Sequence, residues 1–201
     1  SRSQMLDPGN AAAFVRELSA RYLERHPPEA AGRPAEALTP GPAPSLNGSE
    51  MKPGSVFLSY ASEDAAAVQR LRDALDAAGI EVWFDQRHLE SGDDFDQQIK
   101  RNIRACSLFV PVISANTQAR HEGYFRLEWA LAVERAKLIA ETIPFILPVA
   151  IDPVSENGAL APERFLQVQW TRLPGGAPTQ EFIERMVRLI RDFRKRERGL
   201  F

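Results

Sequence analysis

The chain has 201 residues, 44% of them hydrophobic, which is enough to bury one principal core and a small additional element. Its formal net charge of -2 argues against general nucleic-acid binding, because that activity needs a basic surface that neutralises phosphates. Cys106 is the single cysteine, so no internal disulfide or cysteine-based zinc site can form. With no signal peptide and no apolar run of about 18 residues, we expect a cytoplasmic protein without a membrane span.

The N-terminal quarter differs in composition from the rest. In segment 1–26, apolar side chains recur every four residues from Phe14 to Tyr22, which predicts a short helix that needs a packing partner. This helix is either a clamp on the main domain or a remnant of an upstream domain. Segment 27–53 holds seven of the fifteen prolines and is interpreted as a linker. We expect the principal domain at 54–201.

From residue 55 onward, strand-like apolar runs alternate with helical patterns. Strands are expected around 56–58, 80–84, 107–113, 145–151 and 165–168. Four helices are expected between and after these strands. The first is capped by Ser62, and the second has Ile99 and Ile103 on one face. The third carries Glu128, and the last begins at Thr179. This alternation predicts an α/β fold: a flavodoxin-like five-stranded parallel sheet, order 2-1-3-4-5, flanked by helices. Pro111 and Pro148 fit strands poorly because proline cannot donate to a ladder.

In such a sheet, ligands bind beyond the carboxyl ends of the strands where the winding reverses, here between the first and third strands. Residues 60–62 leave the first strand at this crevice, and loop 114–123 leads from the third strand to the helix with Glu128. Tyr124 lies one turn before Glu128 and therefore shares its face. The predicted buried stripe of this helix consists of Leu127, Ala130, Leu131 and Leu138.

The pairing of Tyr124 with Glu128 suits a planar heterocycle with an attached sugar. The aromatic face would hold the flat ring, and the carboxylate would stabilise positive charge that develops on the sugar. The alternative is that Glu128 is a solvated surface charge, as glutamates on amphipathic helices commonly are.

Five motifs share an order and spacing with one known family. They are VFLSYASED at 56–64, VWFDQRHLESGDDF at 82–95, SLFVPVIS at 107–114, YFRLEW at 124–129 and QW at 169–170. Together they resemble the Toll/interleukin-1 receptor (TIR) domain, most closely its bacterial members, over roughly 54–196.

The resemblance implies cleavage of NAD at the bond between nicotinamide and ribose, with Glu128 as the catalytic glutamate and NAD as substrate, not as a cofactor. Substrate contacts are implied at Tyr60, Ala61, Ser62, Glu90 and Tyr124. Ala61 and Ser62 stand where an NAD-cleaving animal relative carries two arginines, so phosphate recognition is expected to differ there. The resemblance also implies partners, namely other TIR domains in a homo-oligomer or filament, and a role in bacterial immune signalling.

Two other functions stay open on the sequence. A non-catalytic TIR adaptor would bind other TIR domains through the loop after the second strand, 85–93, and the flanking helices. A nucleoside deoxyribosyltransferase-like enzyme would use its glutamate as a nucleophile. The absence of G-x-G-x-x-G and P-loop motifs argues against a retained nucleotide cofactor. No metal site is expected, because Asp93, Asp94 and Asp96 suit a helix N-terminus. The basic tail with Arg188, Arg191, Lys195 and Arg198 is either a solvated helix face or a contact for an anionic partner.

Overall fold

The computed structural model describes residues 54–84 and 93–199. The strands in this part are β1 (Val56–Ser59), β2 (Val82–Phe84), β3 (Leu108–Ile113), β4 (Val149–Ala150) and β5 (Thr171–Arg172). The helices are α1 (Ala65–Ala77), α2 (Asp93–Ala105), α3 (Ala115–Ala119), α4 (Tyr124–Ala136), α5 (Glu163–Leu166) and α6 (Gln180–Arg198). Short 3-10 turns lie at Ser62–Asp64 and Pro174–Gly176. The predicted N-terminal helix 1–26, the linker 27–53 and Glu90 fall outside the described residues.

All five strands pair in parallel, in the order β2-β1-β3-β4-β5, which confirms the predicted topology. Phe57 of β1 lies opposite Trp83 on one side and Phe109 on the other. The chain moves outward from β1 to β2 and then crosses back to β3, so the winding reverses between β1 and β3. This reversal is where the topology places a ligand crevice.

Alternate residues of β1 face opposite layers of helices, as the period of a strand requires. Val56 and Leu58 pack with the buried side chains of α1 and α6. Phe57 packs with those of α2 and α4. Ser59 follows Phe57 on the same face, and therefore ends the strand beneath α4.

Two prolines interrupt the pairing of β3 with the stretch that contains β4. The backbone N–H of Leu147 donates to the carbonyl of Phe109 at 2.9 Å, but regular pairing resumes only at Val149–Ala150. Pro111 and Pro148 lie within this gap, and neither residue has an N–H group to donate. The fourth strand is therefore much shorter than its apolar run predicts.

The prediction of a fifth strand at 165–168 is wrong. Residues Glu163–Leu166 form the single-turn helix α5, and the strand lies further on at Thr171–Arg172. Phe165 is fully buried, and its carbonyl accepts a hydrogen bond of 2.9 Å from the indole Nε1 of Trp170. A short apolar run reports burial, but its periodicity does not separate a strand from a helical turn.

The final helix begins where the sequence predicts, immediately after Thr179. The side chain of Thr179 caps α6 by accepting a hydrogen bond from the N–H of Phe182, and Phe182, Met186 and Ile190 are buried. Its remaining surface is rich in charged side chains. Among the helices of 54–84 and 93–199, none is both long enough and apolar enough to span a bilayer.

Candidate active site

The glutamate at the centre of the predicted site lies on the second turn of α4. Gly123, with φ at 151°, leads into this helix, and Tyr124 is its first residue. The side chain of Glu128 is buried, with 6% exposure, and its Oε2 accepts a hydrogen bond from Ser59 Oγ at 2.5 Å. Since Ser59 ends β1, the carboxylate lies at the carboxyl edge of the sheet, beside the point where the winding reverses.

The predicted buried stripe of α4 is wrong in part, although the helix itself is confirmed: Leu131 packs against the core, but two other members do not. Leu138 lies beyond the end of the helix and is 88% exposed, and Ala130 is also exposed. The residues that face the core are Phe125, Glu128, Trp129, Ala132 and Ala136. Apolar residues occur on more than one side of this helix, so their spacing is compatible with more than one buried face.

Burial sets strict conditions on Glu128. A carboxylate in an apolar environment is strongly destabilised unless a hydrogen bond or an opposite charge compensates for the water it has lost. Ser59 supplies such a bond, and a distance of 2.5 Å is typical of a hydroxyl that donates to a charged oxygen. Glu128 is therefore not the solvated surface charge that the sequence allowed.

The predicted substrate-contact residues fall in different surroundings. Tyr124 is half-buried and packs against the core on the α4 side, one turn before Glu128. Ala61 is buried in this same core. Tyr60 is buried on the opposite side of the sheet, where its ring lies 6.4 Å from that of Phe84. The structure thus brings Tyr124 and Ala61 to the face of the sheet that holds Glu128, and Tyr60 to the other.

A buried carboxylate joins the loops that follow β1 and β3. Asp64 accepts hydrogen bonds from Ser114 Oγ at 2.5 Å and from Asn116 Nδ2 at 2.7 Å. Ser114 Oγ also accepts from the N–H of Thr117, which caps α3. Burial raises the pKa of Asp64, and the nearby Asp152 adds to this, while its bonds to Ser114 and Asn116 oppose the rise. These bonds hold together the two loops that leave β1 and β3 at the reversal of the sheet.

A second link between these loops is an ion pair at the surface. Arg120 Nη1 lies 3.0 Å from Glu63 Oε2 and donates at 3.3 Å to Ser62 Oγ. Burial alone would raise the pKa of Glu63, but a backbone hydrogen bond and Arg120 hold that pKa below its ordinary value. The prediction that Ser62 caps the helix is wrong, because α1 begins only at Ala65 and Ser62 opens a 3-10 turn without a side-chain cap.

Arg126 fixes the loop after β3 against α4. Its Nη2 donates to the carbonyls of Thr117 at 2.6 Å and Arg120 at 2.8 Å. Its Nη1 donates to the carbonyl of Leu160. The guanidinium also lies over the rings of Phe125 and Trp129, at 4.8 and 5.0 Å from their centroids. Burial lowers the pKa of Arg126. The roles of Arg126 and Asp64 were not predicted. Arg126 binds backbone carbonyls, which leave no pattern in a sequence. Asp64 binds side chains that are 50 and 52 residues away in the chain.

Other features lie away from Glu128. Two clefts of about 240 and 250 Å³ occur at the opposite edge of the sheet, where β4 and β2 begin, and neither includes Glu128. Within 54–84 and 93–199, no group of three or more His, Cys, Asp or Glu side chains is arranged to hold a metal ion. Cys106 is fully buried, and its burial raises the pKa of the thiol to about 12.

A parallel sheet wound in the order 2-1-3-4-5 defines the class, a flavodoxin-like α/β domain, and in this domain a buried acid lies beside the reversal of the sheet. Within this class, the family model described as "TIR domain" matches residues 56–189. The chain belongs to the TIR domain family, as its motifs predicted.

Two known proteins illustrate the relationship. The protein named NAD(+) hydrolase PdTIR, from Paracoccus denitrificans, is 32% identical over 92 residues, which are 45% of this chain and 28% of that protein. The crystal structure of the TIR domain of the Toll-related receptor TRR-2 from Hydra magnipapillata matches with a TM-score of 0.50 at 18% identity, covering 68% of this chain and 97% of that one. At this low identity the second match concerns the fold.

Proposed function

We propose that this TIR domain is an NAD+ nucleosidase that releases nicotinamide and leaves ADP-ribose or a cyclised ADP-ribose. The observation that carries the proposal is the buried Glu128 carboxylate, held by Ser59 Oγ at 2.5 Å beside the reversal of the sheet. Similarity to a protein named an NAD(+) hydrolase supports the choice of substrate.

One carboxylate is sufficient for this chemistry. Glycosidases generally use a pair of acids, because one of them must protonate the leaving oxygen. In NAD, the electron pair of the broken C1′–N bond passes to the nicotinamide nitrogen, so the cationic ring leaves neutral and needs no proton. The ribose becomes cationic, and the Glu128 carboxylate stabilises that charge. A water oxygen then bonds to C1′ and loses its proton to give ADP-ribose, whereas attack from within the same molecule gives the cyclic product.

Substrate binding is proposed around this carboxylate. Tyr124 would stack on a flat ring of the substrate, since it is half-exposed and lies one turn before Glu128. Residues Tyr60, Ala61 and Ser62 would border the substrate from the loop after β1, with Tyr60 contributing through its backbone because its ring packs on the other side of the sheet. Glu90 would contact the nucleotide from the loop after β2.

We further propose that self-assembly activates the domain in the cytoplasm of a bacterium, as part of immune signalling. The segment 85–93 is polar and contains Gly92, so an ordering step that depends on a neighbouring copy would complete the site. The isolated domain is then expected to be much less active than copies held close together.

The test compares two substitutions on the same helix. Purified protein is incubated with NAD, alone and fused to an oligomeric scaffold, and free nicotinamide is measured for wild type, Glu128→Gln and Glu134→Gln. Glu134 is a matched control because it is an exposed acid of α4, paired with Lys137 at the surface. We expect Glu134→Gln to retain activity and Glu128→Gln to lose about a hundredfold or more, the effect of one charge-stabilising group.

Two results would contradict the proposal: no nicotinamide under either condition, or equal release from Glu128→Gln and wild type. If nicotinamide is absent but the domain associates with itself, and Glu128→Gln leaves that association intact, the function is that of a TIR adaptor.

A further inference from the structure

A second concave surface lies at the opposite edge of the sheet from Glu128. It is the cleft of about 250 Å³ between the turn that follows α1 and the outer face of α6. The lining residues that bear on its chemistry are Ile80, Val187, Arg191, Arg194, Lys195 and Arg198. This surface has no part in the proposed NAD chemistry.

The wall of the cleft formed by α6 is strongly basic. Arg191, Arg194, Lys195 and Arg198 follow the spacing i, i+3, i+4, i+7, which puts them on one face of the helix. The whole chain has a net charge of -2, yet α6 carries seven basic and four acidic side chains, a difference of +3. The positive charge is therefore concentrated on this helix.

The described residues offer little compensating charge. Arg191 Nε lies 3.9 Å from Asp192 Oδ1, and both side chains are at least half exposed, so this pair is weak. Arg194 Nη2 donates to the carbonyl of Gly54 at 3.4 Å. Within 54–84 and 93–199, no carboxylate lies at ion-pair distance from Lys195 or Arg198. The nearby C-terminus of α1 contributes only about half a negative charge from its dipole.

The floor of the cleft is apolar. Ile80 and Ile190 are buried beneath it, and Val187 is among the most exposed large hydrophobic residues of the described chain, at 37%. Basic side chains above an apolar floor match a ligand with phosphate groups at one end and a ring or carbon skeleton at the other. We infer that this cleft binds a phosphate-bearing small molecule, with its phosphates between Arg191, Lys195 and Arg198.

The test uses inorganic pyrophosphate and ADP as probes of the full chain. Binding is followed by calorimetry and by the amide NMR signal of Ile80. We expect both probes to bind, with a Kd about tenfold or more weaker for Arg191→Gln/Lys195→Gln, since two charge-assisted contacts are lost. The matched control is Arg185→Gln/Arg196→Gln, which removes the same charge from exposed positions on another face of α6, outside this cleft, and should change the Kd less than about twofold.

Equal weakening in the two double variants would overturn the inference, because only net charge would then matter. Absence of pyrophosphate and ADP binding, or binding that leaves the Ile80 signal unchanged, would overturn it as well. Co-sedimentation with phosphatidylcholine vesicles, with and without a phosphoinositide, identifies the source of the phosphate. If phosphoinositide vesicles sediment the protein and pyrophosphate releases it, the ligand is a lipid headgroup. If pyrophosphate and ADP bind but the vesicles do not sediment the protein, the ligand is a soluble molecule.

Discussion

Replacing Ser59 by alanine removes one hydroxyl and leaves the Glu128 carboxylate buried without the donor that lies 2.5 Å away. Both side chains are buried, so water does not readily replace the bond. A hydrogen bond to a charged group contributes about 1.5–3 kcal/mol, so the melting temperature should fall by roughly 5–10 °C. If this energy also positions the carboxylate for reaction, the rate of nicotinamide release should fall roughly 10- to 150-fold.

The assay measures kcat and KM for nicotinamide release, with the activity normalised to folded protein. Ser55→Ala is the matched control, because Ser55 is also buried beside β1 while its Oγ finds no hydrogen-bond partner among the described residues. Removal of that hydroxyl should leave the rate nearly unchanged and should not lower the stability, because a buried hydroxyl without a partner does not stabilise the fold. The reasoning is refuted if Ser59→Ala matches wild type, or if both serine variants lose activity equally. A loss of stability with unchanged kcat would reduce Ser59 to a structural role.

Two further predictions concern the frame around the site. Burial raises the pKa of Asp64 above its ordinary 3.8. Above pH 3.8 the folded state therefore retains a proton that the unfolded chain releases. The free energy of unfolding then falls as the pH rises, by the contribution of this one carboxyl. The melting temperature of Asp64→Asn relative to wild type should therefore increase between about pH 4 and about pH 7, and a constant or falling difference would contradict this. Gly176 has φ at 74°, and an added Cβ would lie 2.2 Å from the carbonyl oxygen of Ala67. Gly176→Ala should cost about 3 kcal/mol in urea denaturation, and Gly158→Ala, with φ at 78° and open space, only about 1 kcal/mol. Equal losses would show that steric contact is unimportant at Gly176.

The topology could be predicted because its main elements carry strong local patterns. β1 and β3 are continuous apolar runs that are buried on both faces, and α6 repeats its buried residues from Phe182 to Ile190 at regular spacing. The fifth strand could not be placed, since Thr171–Arg172 is too short and too polar to form a pattern. Its position depends on backbone pairing with β4, which only the assembled sheet provides.

The side chain on which the proposed reaction depends shows a different limit of sequence reasoning. The position of Glu128 on a helix after the third strand follows from local patterns, but its direction does not, because the helix has apolar residues on several sides. Its burial is tied to Ser59, which is 69 residues away in the chain. The same hydrogen bond helps to stabilise the buried acid and orients it at the reversal of the sheet, so the stability of the domain and the proposed reaction depend on the same pair. A glutamine at 128 could still accept the bond from Ser59 but would lack the charge, and this makes Glu128→Gln the variant that separates the two roles.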